Sequence, residues 1–442
     1  MTERAYHSID TGNAHPIKVQ PYRVPPQTKT AIEREIQDML QMGVIRPSGS
    51  AWASPVVLVP KPDGEIRFCM DYCKLNAVTH PDNYPMPCTD ELLEKLGQAQ
   101  FISTLDLTKG YCQVPLDESA KERSAFITHV GLYEFNVLPF GLRNVSATFQ
   151  RLVDGLLAGL GEYAVAYLDN VAIFSDSWAE HLEHLQKVFE RIREAGLTVK
   201  AKKCQIGLNR VTYLGHQVGQ GTINPLQAKV DAIQKWPVPK SKKQVQSFLG
   251  LAGYFRRFVS QYSQIAAPLT DLTKKKQPNA VRWTEACQKA FNQLKATLMS
   301  DPVLRAPDFD KPFLVTTDVS EHGVRAVLMQ EGSDQEFHPV VFLNKKLKLS
   351  ERESNWSVSE KECYAIVYAL EKLHSYVWGR HFHLQTDHAA LRWLHTATGN
   401  NKNLIRWSLA LQDFDFDIQH ISGASNNVVD ALSRESFPES TG

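Results

Sequence analysis

The chain has 442 residues, a length that argues for about three domains at roughly 150 residues each. With 43% hydrophobic and 22% charged residues it has ordinary globular composition, which excludes wholesale disorder, collagen-like repetition and coiled coil. The opening MTERAYHSIDTG is too polar for a signal peptide, and no window nears the ~18 apolar residues of a membrane span, so the expectation is a soluble intracellular protein with no membrane contact.

Residues 1–25 are rich in Pro, His and Thr and read as a lead-in rather than a core element, as if cut from something longer. A helix follows, with Ile32, Ile36, Met39 and Leu40 at helical spacing and Gly43 placed to stop it. SPVVLVPKPDGEIRFCMDY reads as two strands joined at Pro62-Asp63-Gly64. Phe101 to Leu107 is a further strand and Asn144 to Leu160 a helix. EYAVAYLDNVAIFSD predicts a hairpin over Tyr163 to Ser175, with Asp169-Asn170 at its turn. The next helix carries a stripe of Leu182, Leu185, Phe189 and Ile192. Helical patterns dominate from Pro225 to Leu298. Strands at 312–318, 323–330 and 338–343 then precede a helix at 353–375, a strand at 381–386 and shorter helices ending at Arg434. Alternation of strands and helices in this last third predicts an α/β domain on a mixed sheet.

Net charge is only +1, but its distribution is lopsided. Residues 201–300 hold 16 Lys and Arg against Asp231, Asp271 and Glu285, a net +13, so the other 342 residues net −12. Such a block is either a solvated face or a footprint for a polyanion. The seven cysteines (69, 73, 88, 112, 204, 287 and 363) form no Cys-x-x-Cys pair and read as free or buried thiols. His381 and His383, in HFHLQTD, alternate as strand residues on one face do, and they read as structural because zinc ligands usually bring paired Cys/His spacing.

Two sets of carboxylates stand where chemistry could gather. Asp106 ends FISTLD and Asp169 lies in YLDN; if those strands are neighbours, the two acids meet at one sheet edge and could hold a hard cation. Turn chemistry alone would also place Asp there. The second set is Asp318 in LVTTD, Glu362 in SVSEKECYAIVYAL, Asp387 in HLQTD and Asp430 in NNVVDAL. Glu362 shares a helix stripe with Ile366 and Leu370, and an inward Glu is costly unless it is paired or binds metal.

These six residues lie in six of eleven motifs along the chain: SPVVLVPKPDGEIRFCMDYCKLN, YPMP, STLDLTKGYCQVPL, LPFGLRNVSATFQRLVD, AYLDN, YLGH, TTDVSEHG, EKECYAIVYAL, LQTDHAALRWL, RWSLALQDFDFDI and VVDALSR. In that order they resemble the reverse transcriptase and ribonuclease H region of gypsy-class LTR retrotransposon Pol polyproteins. The resemblance implies an α+β fold: a right-hand polymerase with fingers, palm, thumb and connection segment, then an α/β ribonuclease H-like domain with a mixed sheet. It sets a lead-in at 1–25, fingers and palm at 26–224, a basic thumb and connection at 225–305, ribonuclease H at 306–436 and a tail at 437–442. Asp106, Asp169 and the position of Asn170 would bind two Mg2+, with Mn2+ as a substitute. Lys61 and Arg67 would hold the deoxynucleoside triphosphate, Tyr111 would crowd a 2′-OH, and Phe140 and Gly141 would floor the pocket. Tyr213, Leu214, Gly215 and His216 would grip the primer. Lys242, Lys243, Arg256 and Arg257 would contact a template-primer of RNA or DNA. Asp318, Glu362, Asp387 and Asp430 would hold two further metals to cut the RNA of an RNA–DNA hybrid. The implied setting is the cytoplasm, a virus-like particle or the nucleus.

Several residues depart from the family pattern. Asn170 stands where the family has Asp, Cys73 and Cys88 where it has Arg, Val145-Ser146 where it has Ala-Pro, Arg325 where it has Gly and Ser422 where it has Pro. Asn offers one neutral carbonyl oxygen in place of a carboxylate, so metal affinity beside Asp169 should fall and DNA synthesis should be impaired. Each change is one C-to-T or G-to-A transition away, which fits a decayed or domesticated copy. A catalytically inactive nucleic-acid-binding remnant is therefore the rival to a working enzyme.

Overall fold

A computed structural model describes residues 2–60, 66–107, 110–300, 303–320, 323–347, 356–387 and 402–420. The chain divides into two compact units, one of residues 1–92 and 99–211, the other of 93–98 and 212–442. Among the described residues, no helix is long and apolar enough to cross a membrane.

The first unit contains strands β1 (Ile45–Pro47), β2 (Ser54–Pro60), β3 (Ile66–Met70), β4 (Phe101–Asp106), β5 (Phe126–Ile127), β6 (Leu132–Phe135), β7 (Ala164–Tyr167), β8 (Asn170–Ser175) and β9 (Gln205–Leu208). They form two sheets, ordered β1-β6-β5-β2-β3 and β7-β8-β4-β9. The second sheet is wholly antiparallel in its described pairs, and its central strands β4 and β8 are almost continuously buried, as a sheet covered on both faces requires. The helices Val145–Leu156 and Trp178–Glu194 pack onto it through Phe149, Leu152, Val153, Leu185, Val188 and Ile192.

Three expectations need correction here. Residues 2–11 are not a detached lead-in: Ile9 joins the core, Thr2 and His7 bond the backbone at Gln113 and Pro115, and the His7 imidazole meets the Thr148 hydroxyl at 2.8 Å. The buried stripe of the 178–194 helix runs through His181, Leu185, Val188 and Ile192, leaving Leu182 50% and Phe189 38% exposed. A histidine takes an inward place because both ring nitrogens find hydroxyls, Ser103 at 2.8 Å and Ser175 at 2.9 Å, and burial lowers its pKa. The hairpin turn is Leu168-Asp169, so Asn170 is already the first residue of β8 and pairs with Tyr167. The Pro62-Asp63-Gly64 turn lies outside the described residues.

The second unit contains β10 (Val211–Tyr213), β11 (His216–Gly219), β12 (Thr222–Pro225), β13 (Leu304–Arg305), β14 (Phe313–Ser320), β15 (Gly323–Glu331), β16 (Phe337–Lys346), β17 (His381–Thr386) and β18 (Asp415–His420). β10 to β13 form one sheet in sequence order, and the helices Gln227–Gln234, Lys242–Tyr254 and Glu285–Met299 supply the helical segment expected from Pro225 onward. The remaining strands form a mixed sheet, β16-β15-β14-β17-β18, with β14, β17 and β18 parallel and the other pairs antiparallel. Helix Val358–Lys372 buries Cys363, Ile366, Val367 and Leu370 with Phe313, Val315, Phe382 and Leu384. Strand β18 was not expected from the sequence, although DFDFDI alternates at period two as a half-buried strand does.

Candidate active sites and nucleic-acid interface

In the first unit the antiparallel register of β4 and β8 sets Asp106 opposite Asn170, and the intervening turn of β7 and β8 brings Asp169 beside both. Leu168 holds a left-handed backbone, φ +55°, which a branched side chain adopts only under constraint. That constraint is Gln150, fully buried on the 145–156 helix. Its Oε1 accepts the Leu168 N–H at 2.7 Å, while its Nε2 donates to Ala166 O and Asp154 Oδ1. Sequence reading missed Gln150 as a positioning residue; the available signal was an amide on an otherwise apolar helix face.

Burial raises the Asp169 pKa first and the neighbouring Asp106 charge raises it further, while Lys203 opposes the shift. Lys203 Nζ lies 2.8 Å from Asp106 Oδ2, and that contact raises the lysine pKa. Asn170 Nδ2 donates to Asp169 Oδ1 at 3.4 Å. Two neighbouring carboxylates, with Asp169 raised partly by the charge of Asp106, fit a hard cation, whereas the amide adds no charge.

The other residues expected around this site are placed as follows. Tyr111 stands edge-on to Phe140 and Phe149, each centroid 5.2 Å away, and Ser146 hydrogen-bonds its hydroxyl. Phe140 is 60% exposed, and Gly141 adopts φ +96°, a conformation that favours glycine, with its carbonyl accepting from Asn76. The Cys73 N–H, at the start of its helix, donates to Asp71 Oδ1 at 3.1 Å, and that carboxylate also accepts from Tyr22. Lys61 lies outside the described residues, and Arg67 is placed by its backbone, opposite Val59 in the β2–β3 pair.

In the second unit Asp318 of β14 faces Arg325 of β15, Asp387 follows the last residue of β17, and Glu362 reaches inward from the 358–372 helix. Glu362 is 6% exposed, its Oε2 has no hydrogen-bond partner, and its pKa is pushed up to about 8 by burial, then by Asp387 and Asp318. An orphaned carboxylate oxygen beside two more acids is an all-oxygen donor set that fits Mg2+ or Mn2+. Asp430 and Ser422 lie outside the described residues.

Arg325 does not reach away from this site. Its Nη1 lies 3.2 Å from Asp318 Oδ2 and its Nη2 donates to Gln264 Oε1 at 2.7 Å. The guanidinium thereby occupies a donor face of one of the three described acids.

The expected primer-gripping residues lie in the neighbouring strands β10 and β11 and the turn between them, where Leu214 and Gly215 both have positive φ, +45° and +73°. Tyr254 donates to Leu214 O, and the buried His216 ring packs against Tyr254, Phe255 and Phe258. Of the four basic residues expected on nucleic acid, Lys243 and Arg256 are exposed and Lys242 half-buried, its ammonium donating to Lys274 O. Arg257 is corrected: it is 8% exposed and pairs at 3.3 Å with Glu94, which also accepts from Tyr376. A buried cation needs such a partner, and holding it removes Arg257 from any phosphate surface. Lys295 is likewise engaged, donating to Gln234 O and Trp236 O.

Residues 59–218 match the family described as reverse transcriptase (RNA-dependent DNA polymerase), and residues 308–414 the RNase H-like domain found in reverse transcriptase. The foamy viral protease-reverse transcriptase dRH in complex with double-stranded DNA has the same fold, with TM-score 0.84 and 24% identity over 99% of this chain and 75% of that one. The foamy viral protease-reverse transcriptase in complex with an RNA/DNA hybrid has TM-score 0.79 and 24% identity, over 100% and 59%. The family matches and the fold thus define a right-hand reverse transcriptase followed by a ribonuclease H-like domain.

Relatives include the retrovirus-related Pol polyprotein from transposon 297 of Drosophila melanogaster, 40% identical over 99% of this chain and 41% of its own length. That from transposon opus, also of Drosophila melanogaster, is 37% identical over 96% and 44%, and the Tf2-7 polyprotein of Schizosaccharomyces pombe 34% identical over 95% and 31%. The chain belongs with the Pol polyproteins of gypsy-class LTR retrotransposons, and it spans less than half the length of these relatives.

Proposed function

We propose that the chain acts as an RNA-directed DNA polymerase and ribonuclease H on template-primer duplexes and RNA–DNA hybrids, with polymerase chemistry weakened by Asn170. The observation that carries this reading is Glu362, an inward carboxylate whose Oε2 has no hydrogen-bond partner, set beside Asp318 and Asp387. Asp318, Glu362, Asp387 and Asp430 would hold two Mg2+, or Mn2+, and Asp106 and Asp169 a second pair. Bound there, such ions activate a water or a primer hydroxyl and stabilise charge at the phosphate under attack. Gln150 holds the turn that carries Asp169, and Lys203 screens Asp106 from it. Tyr111 and Phe140 form an aromatic wall against a 2′-OH, with Gly141 beneath and Lys61 and Arg67 on the triphosphate.

In this reading residues 26–224 serve as fingers and palm, 225–305 as thumb and connection with Tyr213 to His216 gripping the primer, and 306–436 as ribonuclease H. The setting is intracellular, in the cytoplasm, a virus-like particle or the nucleus. The test is cutting of a labelled RNA–DNA hybrid: it should depend on Mg2+ or Mn2+ and vanish in Asp387→Asn, and equal cutting by that variant would overturn the assignment.

A second reading, a duplex-binding remnant that does not cut, is favoured by the Arg325 contact on Asp318. Both readings require a phosphate-binding face. Affinity for a template-primer should fall steeply with salt, and reversing charge at the exposed Lys243, Arg256, Lys275 and Lys276 should flatten the slope by about 0.9 for each phosphate no longer neutralised. A slope unmoved by all four reversals would return the block to a solvated face.

A further inference from the structure

The parallel register of β17 and β18 sets His381 beside Asp415, Phe382 beside Phe416 and His383 beside Asp417. Alternate strand residues share a face, so Phe382 and Phe416 enter the core while both histidines and both aspartates stand together on the other side. One ligand atom from each of His381, His383 and Asp417 lies within 4.8 Å of the others. His381 Nδ1 is 3.0 Å from Asp415 Oδ1, and its Nε2 is 3.3 Å from Asp417 Oδ2. His383 Nδ1 is buried and has no hydrogen-bond partner.

We propose that His381, His383 and Asp417 form a transition-metal site of Zn2+ type, separate from the catalytic carboxylates, that ties the edge strand β18 to β17. The two nitrogens of His381 have different partners. Nδ1–H donates to Asp415, which leaves the Nε2 lone pair facing Asp417 and His383. A carboxylate behind a ligating histidine is how proteins orient imidazole on zinc. Two imidazoles and one carboxylate suit Zn2+ or Co2+, whereas Mg2+ keeps to six oxygens. Donors of a tetrahedral zinc site are roughly 3.4 Å apart, which small side-chain rotations reach from the present spacing. The side chains of His381 and Asp417, 46% and 70% exposed, leave a fourth position open to water. Asp387 lies four residues beyond His383, roughly 13 Å along a strand, so the two sites share no ligand. The competing state is a proton: His381 can instead sit as an imidazolium between Asp415 and Asp417.

The test is a titration of the full chain with Zn2+, and in parallel Co2+, with excess Mg2+ occupying the all-oxygen sites. The expected result is one equivalent bound, a visible Co2+ spectrum without thiolate charge transfer, and a rise in Tm. Substituting the exposed thiols, Cys73→Ser with Cys88→Ser, should change none of these. His383→Gln should abolish binding and the Tm rise while leaving the metal-free Tm unchanged, and Asp415→Asn should weaken binding by about 10- to 100-fold. Absence of binding, undiminished binding in His383→Gln, or a thiolate spectrum lost with the cysteines would each overturn the site.

Discussion

Asn170→Asp should raise Mg2+-dependent primer extension by at least ~100-fold. The expectation rests on geometry at one position. Asp106 faces residue 170 across the β4–β8 pair, and Asp169 precedes it, so a third carboxylate would join two that already stand together at this sheet edge. Disturbing only the partners of a metal ligand costs about 10- to 100-fold, and loss of a charged ligand itself should cost more. In the natural sequence the Asn170 amide instead donates to Asp169, using a lone pair that a cation would want. Single-turnover extension of a labelled primer measures the gain, which corresponds to about 2.7 kcal/mol of barrier at 100-fold. Duplex affinity should barely change, since that term belongs to the basic residues. Robust synthesis by the natural sequence would mean that two carboxylates suffice. No gain on restoration would shift attention to Cys73, now paired with Asp71, and to Ser146, now bonded to Tyr111.

Arg325→Gly and Arg325→Gln should each increase hybrid cleavage and lower the Mg2+ concentration at half-maximal rate by about tenfold. The guanidinium lies on Asp318 with both groups partly exposed, so the contact is screened. A charge-assisted bond discounted for exposure leaves ~1–2 kcal/mol for an incoming cation to overcome. About 1.4 kcal/mol corresponds to tenfold in affinity. Two variants are needed because Gly within a strand interior costs ~1 kcal/mol of its own, whereas Gln preserves the strand and removes only the charge. If cleavage and Mg2+ dependence are the same in both variants and the natural chain, Arg325 is a bystander.

Much of the site was legible in the chain itself. Strand patterns ending in acids placed Asp106 at the end of β4 and Asp387 just after β17, while β14 runs on past Asp318 to Ser320, and the stripe of Glu362 with Ile366 and Leu370 turned that carboxylate inward. These features are local: a strand or helix encodes in its own spacing which residues share a face. The alternation in DFDFDI was equally local, and β18 was available to the same reasoning that found its neighbour β17.

What a face meets is a different matter, because the partner comes from elsewhere in the chain. Arg257 belonged by sequence to a basic block, yet Glu94, 163 residues away, draws it into the interior. Arg325 was legible only as a departure from the family's Gly, and cross-strand register with Asp318 plus an amide from Gln264 fixed where its guanidinium lies. His181 displaced Leu182 from the buried stripe because two serines from separate strands accept and donate at its ring. His381 and His383 read as structural while seen on one strand, and only the parallel pairing with β18 adds Asp415 and Asp417. Sequence alone therefore determined which residues carry the charge, the donors and the apolar faces. Tertiary structure decided which charges are neutralised and which donors converge, since those energies depend on burial and distances of a few ångströms between segments that no local pattern relates.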